Sequence, residues 1–193
     1  MIHSDVFTDV PHFTGKFAVE RMIEDFDLPV TILRPSYFIQ NDTSLKDVVL
    51  GQCIYPQPIG SKGVSMVDAR DVGEAAALFL LKRENAAEPL PRETIELVGP
   101  DALTGEAIAG IWSEVLGRQI RYGGDNLAAF EKKPFGSFAP RWMARDMRLM
   151  MSRYQQHGTV AKPEAVARLT DILGHAPRSY RDFAAETAKQ WQS

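Results

Sequence analysis

The sequence predicts an α/β fold in which short parallel strands alternate with helices before a mostly helical C-terminal part. Three observations lead there. From Thr14 the apolar residues Val19, Met22, Ile23 and Phe26 recur at i, i+3, i+4 and i+7, one stripe of an amphipathic helix. Residues 30–33 (VTIL) follow as a β-branched, almost wholly apolar run, the pattern of a parallel strand covered on both faces. Beyond residue 104, helical periodicity dominates.

Taken in order, Glu20, Arg21, Glu24 and Asp25 lie off the first helical stripe and are expected to face water. Pro29 blocks further helix, and Arg34-Pro35 closes the strand. Ligands of open α/β sheets sit beyond the carboxyl ends of strands, so residues 34–41 form a candidate ligand loop. Asn41, Asp42 or Thr43 is expected to cap the next helix, with Leu45, Val48 and Val49 inward. Residues 54–67, with Pro56, Pro58, Gly60 and Gly63, suggest two extended pieces around a GSKG turn. Asp71 is expected to cap a long helix that buries Val72, Ala75, Ala76, Phe79 and Leu80.

Residues 84–92, with Pro89 and Pro91, read as a linker, and residues 94–98 as another strand closed by Gly99-Pro100. Thr104 caps a helix whose stripe is Ile108, Ile111, Trp112, Val115 and Leu116, with Gly117 as its stop. A short strand at 119–122 and a short helix ending before Pro134 follow. From Pro140 to His157, Met143, Met147, Met150 and Tyr154 recur at helical spacing, a stripe read as core in preference to a pocket wall. The arginines between them read as a solvated face. Helices around 164–173 and 180–191 finish the chain.

With 45% hydrophobic and 24% charged residues, this is the composition of an ordinary soluble globular protein. A net charge of −3 gives no long-range pull toward nucleic acid or acidic membranes. The one cysteine, Cys53, precludes an internal disulfide and fits a reducing compartment. No apolar run approaches membrane-spanning length, and MIHSDVFTDV does not read as a signal peptide, so the expectation is a cytoplasmic protein. His3, His157 and His175 are scattered, without metal-ligand spacing.

HFTGK, a helix carrying Glu20, and LPVTILRPSYFIQN together resemble the NmrA-like family, atypical relatives of the short-chain dehydrogenases. The likeness runs on through VSMVDARDVGEAAALFLL, TIELVGPDALTGEAIAGIWSEVLGRQIRY and LGHAPRSYRDFAAE. It implies a Rossmann-like parallel sheet: residues 1–98 as the C-terminal half of an NAD(P)-binding domain, residues 99–193 as a mainly helical substrate-binding subdomain. The implied cofactor is NADP or NAD, with a small-molecule substrate between the subdomains and a protein partner or homodimer as a further association.

In tyrosine-dependent dehydrogenases a tyrosine and a lysine four residues later share one helix face. The ammonium lowers the phenol's pKa and binds the nicotinamide ribose, and the phenol passes a proton to the substrate. Four residues before Lys16 stands His12, as is common in the NmrA-like branch. Lys16 is thereby the implied ribose ligand, and the His12 imidazole a replacement proton donor. Pro35, Ser36, Tyr37 and Phe38 match the family's loop along the nicotinamide. Tyr37 is either an acid or, the preferred reading, wall. Asn41 orients that loop or caps a helix, capping being preferred, and Arg34 is expected to pair with a carboxylate. Ser4 is the approximate counterpart of a serine such proteins often carry, or an ordinary surface serine.

No G-x-G-x-x-G occurs in the sequence, and the pyrophosphate of a dinucleotide needs such a turn to approach backbone N–H groups and a helix N-terminus. The expectation is therefore the nicotinamide side of a dinucleotide site, in a chain lacking the upstream nucleotide-binding strands and impaired for that reason. Three readings follow: an NAD(P)H-dependent oxidoreductase of small carbonyl or quinone-like substrates, a non-catalytic NAD(P)-sensing regulator, and a cofactor-free interaction module.

Overall fold

The computed structural model describes residues 10–132 and 140–192. Ser4 and the expected opening strand end lie outside them. Helix α1 (Pro11–Asp25) starts on Pro11, whose missing N–H costs nothing in a first turn. Strand β1 (Thr31–Pro35) leads into a 3₁₀ helix (Ile39–Leu45), α2 (Lys46–Gln52), β2 (Ile54–Tyr55) and α3 (Ala69–Glu84). Then come β3 (Glu93–Leu97), α4 (Gly105–Leu116), β4 (Arg121–Tyr122), α5 (Leu127–Lys132), α6 (Arg141–His157), α7 (Pro163–Leu173) and α8 (Tyr180–Gln192).

β1 and β3 pair in parallel, from Thr31 opposite Glu93 to Pro35 opposite Leu97. β2 and β4 form a second parallel pair, Ile54 with Arg121 and Tyr55 with Tyr122. The ladder continues past β1: Ser36 N donates to Leu97 O at 2.9 Å, and Ile39 N and Val67 N exchange bonds with Val67 O and Tyr37 O. These bonds fix the loop after β1 against residue 67. Among the described residues the other edge of β1 pairs with no strand, and the strand is half-buried throughout instead of covered on both faces.

Two apolar clusters hold the molecule. Ile95, Leu97, Val67, Ala75, Phe79, Leu169 and Leu173 join β3 to α3 and α7. The larger cluster gathers around Trp112, Tyr55, Tyr154, Ile59 and Ile108. Arg83 ties the proline-rich 84–92 segment to β1, donating to Thr31 Oγ1 (2.7 Å), Pro29 O (2.8 Å), Leu90 O (3.0 Å) and Pro91 O (2.8 Å). Thr104 Oγ1 caps α4 through Ala107 N at 3.1 Å, and Gly117 ends it in the left-handed conformation, as the sequence predicts.

Several expectations are corrected. The packed seam of α1 runs through Phe13 and Glu20, while Val19, Met22 and Phe26 are 56, 57 and 70% exposed. Glu20 is therefore not on the water-facing side, because helical period alone does not say which face meets the protein and an ion pair with Arg34 pulls Glu20 in. Leu80 of α3 is likewise exposed, since Phe79 takes the inward position. Asp68, not Asp71, caps α3 by accepting from Arg70 N at 2.8 Å. Asp71 sits buried in the first turn, where it binds the backbone N–H (2.8 Å) and guanidinium of Arg178. Asn41, Asp42 and Thr43 do not cap α2, because they lie within the 3₁₀ helix that precedes it.

Candidate functional site

A cavity of about 470 Å³ lies between α1, the loop after β1 and α6, and it is lined by His12, Lys16, Pro35, Ser36, Tyr37, Phe38 and Asn41, though not by Arg34. That volume is of the order that holds a small organic ligand. One helical turn places His12 Nε2 and Lys16 Nζ 3.4 Å apart. Lys16 also stands 5.4 Å from the Phe13 ring centroid and pairs with no carboxylate among the described residues. Partial burial and then the Lys16 charge push the His12 imidazole below its usual pKa, against a smaller upward pull from Asp146. His12 is thus mostly neutral at pH 7, and an acid stronger than a free imidazolium when protonated.

Tyr37 is 9% exposed, with its ring edge-on to Tyr154 at a centroid distance of 6.1 Å. Burial, and then the nearby Asp42 carboxyl, push its phenol well above the ordinary tyrosine range, while a bond with Asn41 opposes them. The ring is part of the wall. Asn41 lies within the 3₁₀ helix instead of capping α2. Arg34 pairs with a carboxylate as expected, that of Glu20.

Behind the loop stands a buried polar network. Asp42 accepts from Tyr55 Oη (3.1 Å) and Tyr180 Oη (2.5 Å), and Trp112 Nε1 donates to Tyr180 Oη at 2.9 Å. Burial pushes the Asp42 carboxyl up to about 7, against the two phenol hydrogen bonds.

Sequence reasoning missed much of the opposite wall. Met147, Met150, Met151 and Tyr154 of α6 line the cavity, so most of the stripe expected as core in preference to a pocket wall also faces the cavity. Gln57 lines it too, and nothing in its P-Q-P setting signals that. Asp71, Glu74 and His175 also converge, with one ligand atom of each within 4.8 Å of the others. The Arg178 guanidinium already bridges the two carboxylates there.

A model of the NmrA-like family matches residues 1–176. Prestalk A differentiation protein A of Dictyostelium discoideum is 26% identical over 175 residues, 88% of this chain and 54% of that protein. An NAD(P)H azoreductase of Xenophilus azovorans is 26% identical over 184 residues, 91% of this chain and 59% of that one. The chain thus spans a little over half the length of these relatives. In fold it resembles an NADPH-dependent quinone oxidoreductase from Escherichia coli, solved with NADPH: TM-score 0.76, 18% identity, covering 95% of this chain and 61% of that one. No helix of the described residues is long and apolar enough to cross a membrane.

Proposed function

The chain belongs to the NmrA-like family, and from that premise we propose an NAD(P)H-dependent oxidoreductase that reduces small carbonyl or quinone-like compounds. The observation that carries the proposal is the convergence of His12, Lys16 and residues 35–38 on one cavity, with an ammonium there that no carboxylate of the described residues pairs with. The names of two relatives, an NAD(P)H azoreductase and an NADPH-dependent quinone oxidoreductase, support the class.

The donor set fits the nicotinamide end of the cofactor. Lys16 offers a cation to ribose hydroxyls, and Pro35, Ser36 and Phe38 offer a backbone-anchored surface for the ring. The nicotinamide, when bound, supplies a hydride. Reduction of a carbonyl or quinone then needs a proton, and in this reading the His12 imidazolium gives it. Its depressed pKa makes the imidazolium, the minority form at pH 7, a stronger acid, and it regains its proton from solvent. Tyr37 keeps its proton and excludes water.

A second reading, a regulator that binds the dinucleotide without turnover, is favoured by His12 in place of a tyrosine and by the sealed Tyr37 phenol. Mixing the protein with NADPH and a small quinone separates the two. Loss of the reduced nicotinamide absorbance that stops in Lys16→Ala supports the enzyme. Binding without that loss supports the regulator, and absence of both overturns the nucleotide site.

A further inference from the structure

Asp42 has no part in the reading above, yet it belongs to the 3₁₀ helix (Ile39–Leu45) whose Asn41, Ser44 and Leu45 line the cavity. Its own side chain is wholly buried and reaches Tyr55 of β2 and Tyr180 at the start of α8. Tyr180 Oη also accepts from Trp112 Nε1, so its hydroxyl proton is committed to Asp42 Oδ2 and the join runs on to α4. One carboxyl therefore fastens a wall of the cavity to the C-terminal helices.

Two features make that join reversible. The first is charge. Asp42 Oδ1 has no hydrogen-bond donor, and no cation pairs with the carboxyl among the described residues. The ionisable groups that face it there are the phenols of Tyr37 in the loop, Tyr55 and Tyr180, which burial keeps protonated. A neutral carboxyl tolerates one bare oxygen at small cost, whereas a carboxylate so placed keeps part of its charge unpaired and out of water. Water reaches Oδ1 only if the 3₁₀ helix parts from α8. The second feature is the backbone. Seven residues is long for a 3₁₀ helix, since its hydrogen bonds are poorer than α-helical ones and runs beyond about four residues are uncommon. Phe38, ahead of it, supplies no side-chain cap.

We propose that Asp42 is a proton-operated latch on the cavity: neutral, it fastens the Ile39–Leu45 wall to α8, and ionised, it lets that wall part from α8. The inference goes beyond the oxidoreductase reading and does not depend on which ligand the cavity takes. Burial pushes the carboxyl up to about 7, so opening becomes easier as pH rises toward that value.

The test is amide hydrogen exchange of the whole chain, each rate corrected for its intrinsic pH dependence. From about pH 5 to pH 7 the opening constant of residues 40–45 is expected to rise by up to about tenfold per unit. The opening is local, so low guanidinium barely accelerates it. Asp42→Asn abolishes the rise. Tyr180→Phe, which keeps the ring but cuts the join to α8, raises the opening constant about tenfold at about pH 5. An opening independent of pH, a rise that persists in Asp42→Asn, or no effect of Tyr180→Phe overturns the latch. So does exchange of residues 40–45 only together with Ile95 of β3, in global unfolding.

Discussion

Glu20 on α1 grips Arg34 near the end of β1 with both carboxylate oxygens, Oε1 accepting from Nε at 3.2 Å and Oε2 from Nη2 at 2.5 Å. Their side chains are only 11 and 14% exposed, so the pair fixes the helix bearing His12 and Lys16 against the strand that delivers residues 35–41. Glu20→Ala removes the carboxylate that accepts both of these charge-assisted bonds, and chemical denaturation is expected to show a loss of about 2–3 kcal/mol. A loss under about 0.5 kcal/mol would mean that the pair does not hold the two elements together.

The exposed stripe of α1 gives the complementary expectation. Met22→Ser and Phe26→Ser change unfolding free energy by less than about 0.5 kcal/mol, because neither side chain is packed. Phe13→Ala, on the packed seam of the same helix and 7% exposed, costs about 3 kcal/mol. Equal costs on the two faces would place the seam wrongly.

Asp42 predicts a pH dependence. Its carboxyl titrates at about 7 in the folded state against 3.8 ordinarily, so between these values the folded state binds more protons than the unfolded chain. The group's contribution is therefore most favourable below the lower value and is lost as pH rises toward 7, at up to about 1.4 kcal/mol per pH unit. Asp42→Asn has no such slope. Unfolding of both proteins from about pH 5 to pH 7 is expected to show wild type losing stability relative to the variant; parallel curves would contradict a carboxyl titrating in that range.

Gly99 follows β3, where a Cβ would stand 1.7 Å from Met66 O. Gly99→Ala must displace backbone that carries the Val67 bonds to the ligand loop, and a loss of at least about 2 kcal/mol is expected in thermal or denaturant unfolding.

The candidate site was legible in the sequence where local order carries it. A histidine and a lysine one turn apart on α1, followed directly by β1 and its loop, are sequence neighbours, so consecutive elements bring them together. The α4 cap and stop were legible for the same reason, since Thr104 and Gly117 act on their own helix. Distant partners were not. Which face of α1 packs depends on Arg34, the inward turn of Asp71 depends on Arg178, and the cavity wall on α6 depends on a helix more than a hundred residues from Lys16. Gln57 carries no signal because a glutamine between prolines belongs to no helical or strand stripe.

On the proposed function, the cavity around His12 and Lys16 receives the nicotinamide end of the cofactor. The most direct test is a titration of the ¹⁵N-labelled chain with reduced nicotinamide mononucleotide, followed by amide chemical shifts. The account predicts shifts confined to the residues around Lys16, to 36–41 and to the adjoining turn of α6. Affinity should be near millimolar, about 4 kcal/mol, and about tenfold weaker in Lys16→Ala. Shifts clustered elsewhere, or affinity unchanged by the loss of Lys16, would contradict it.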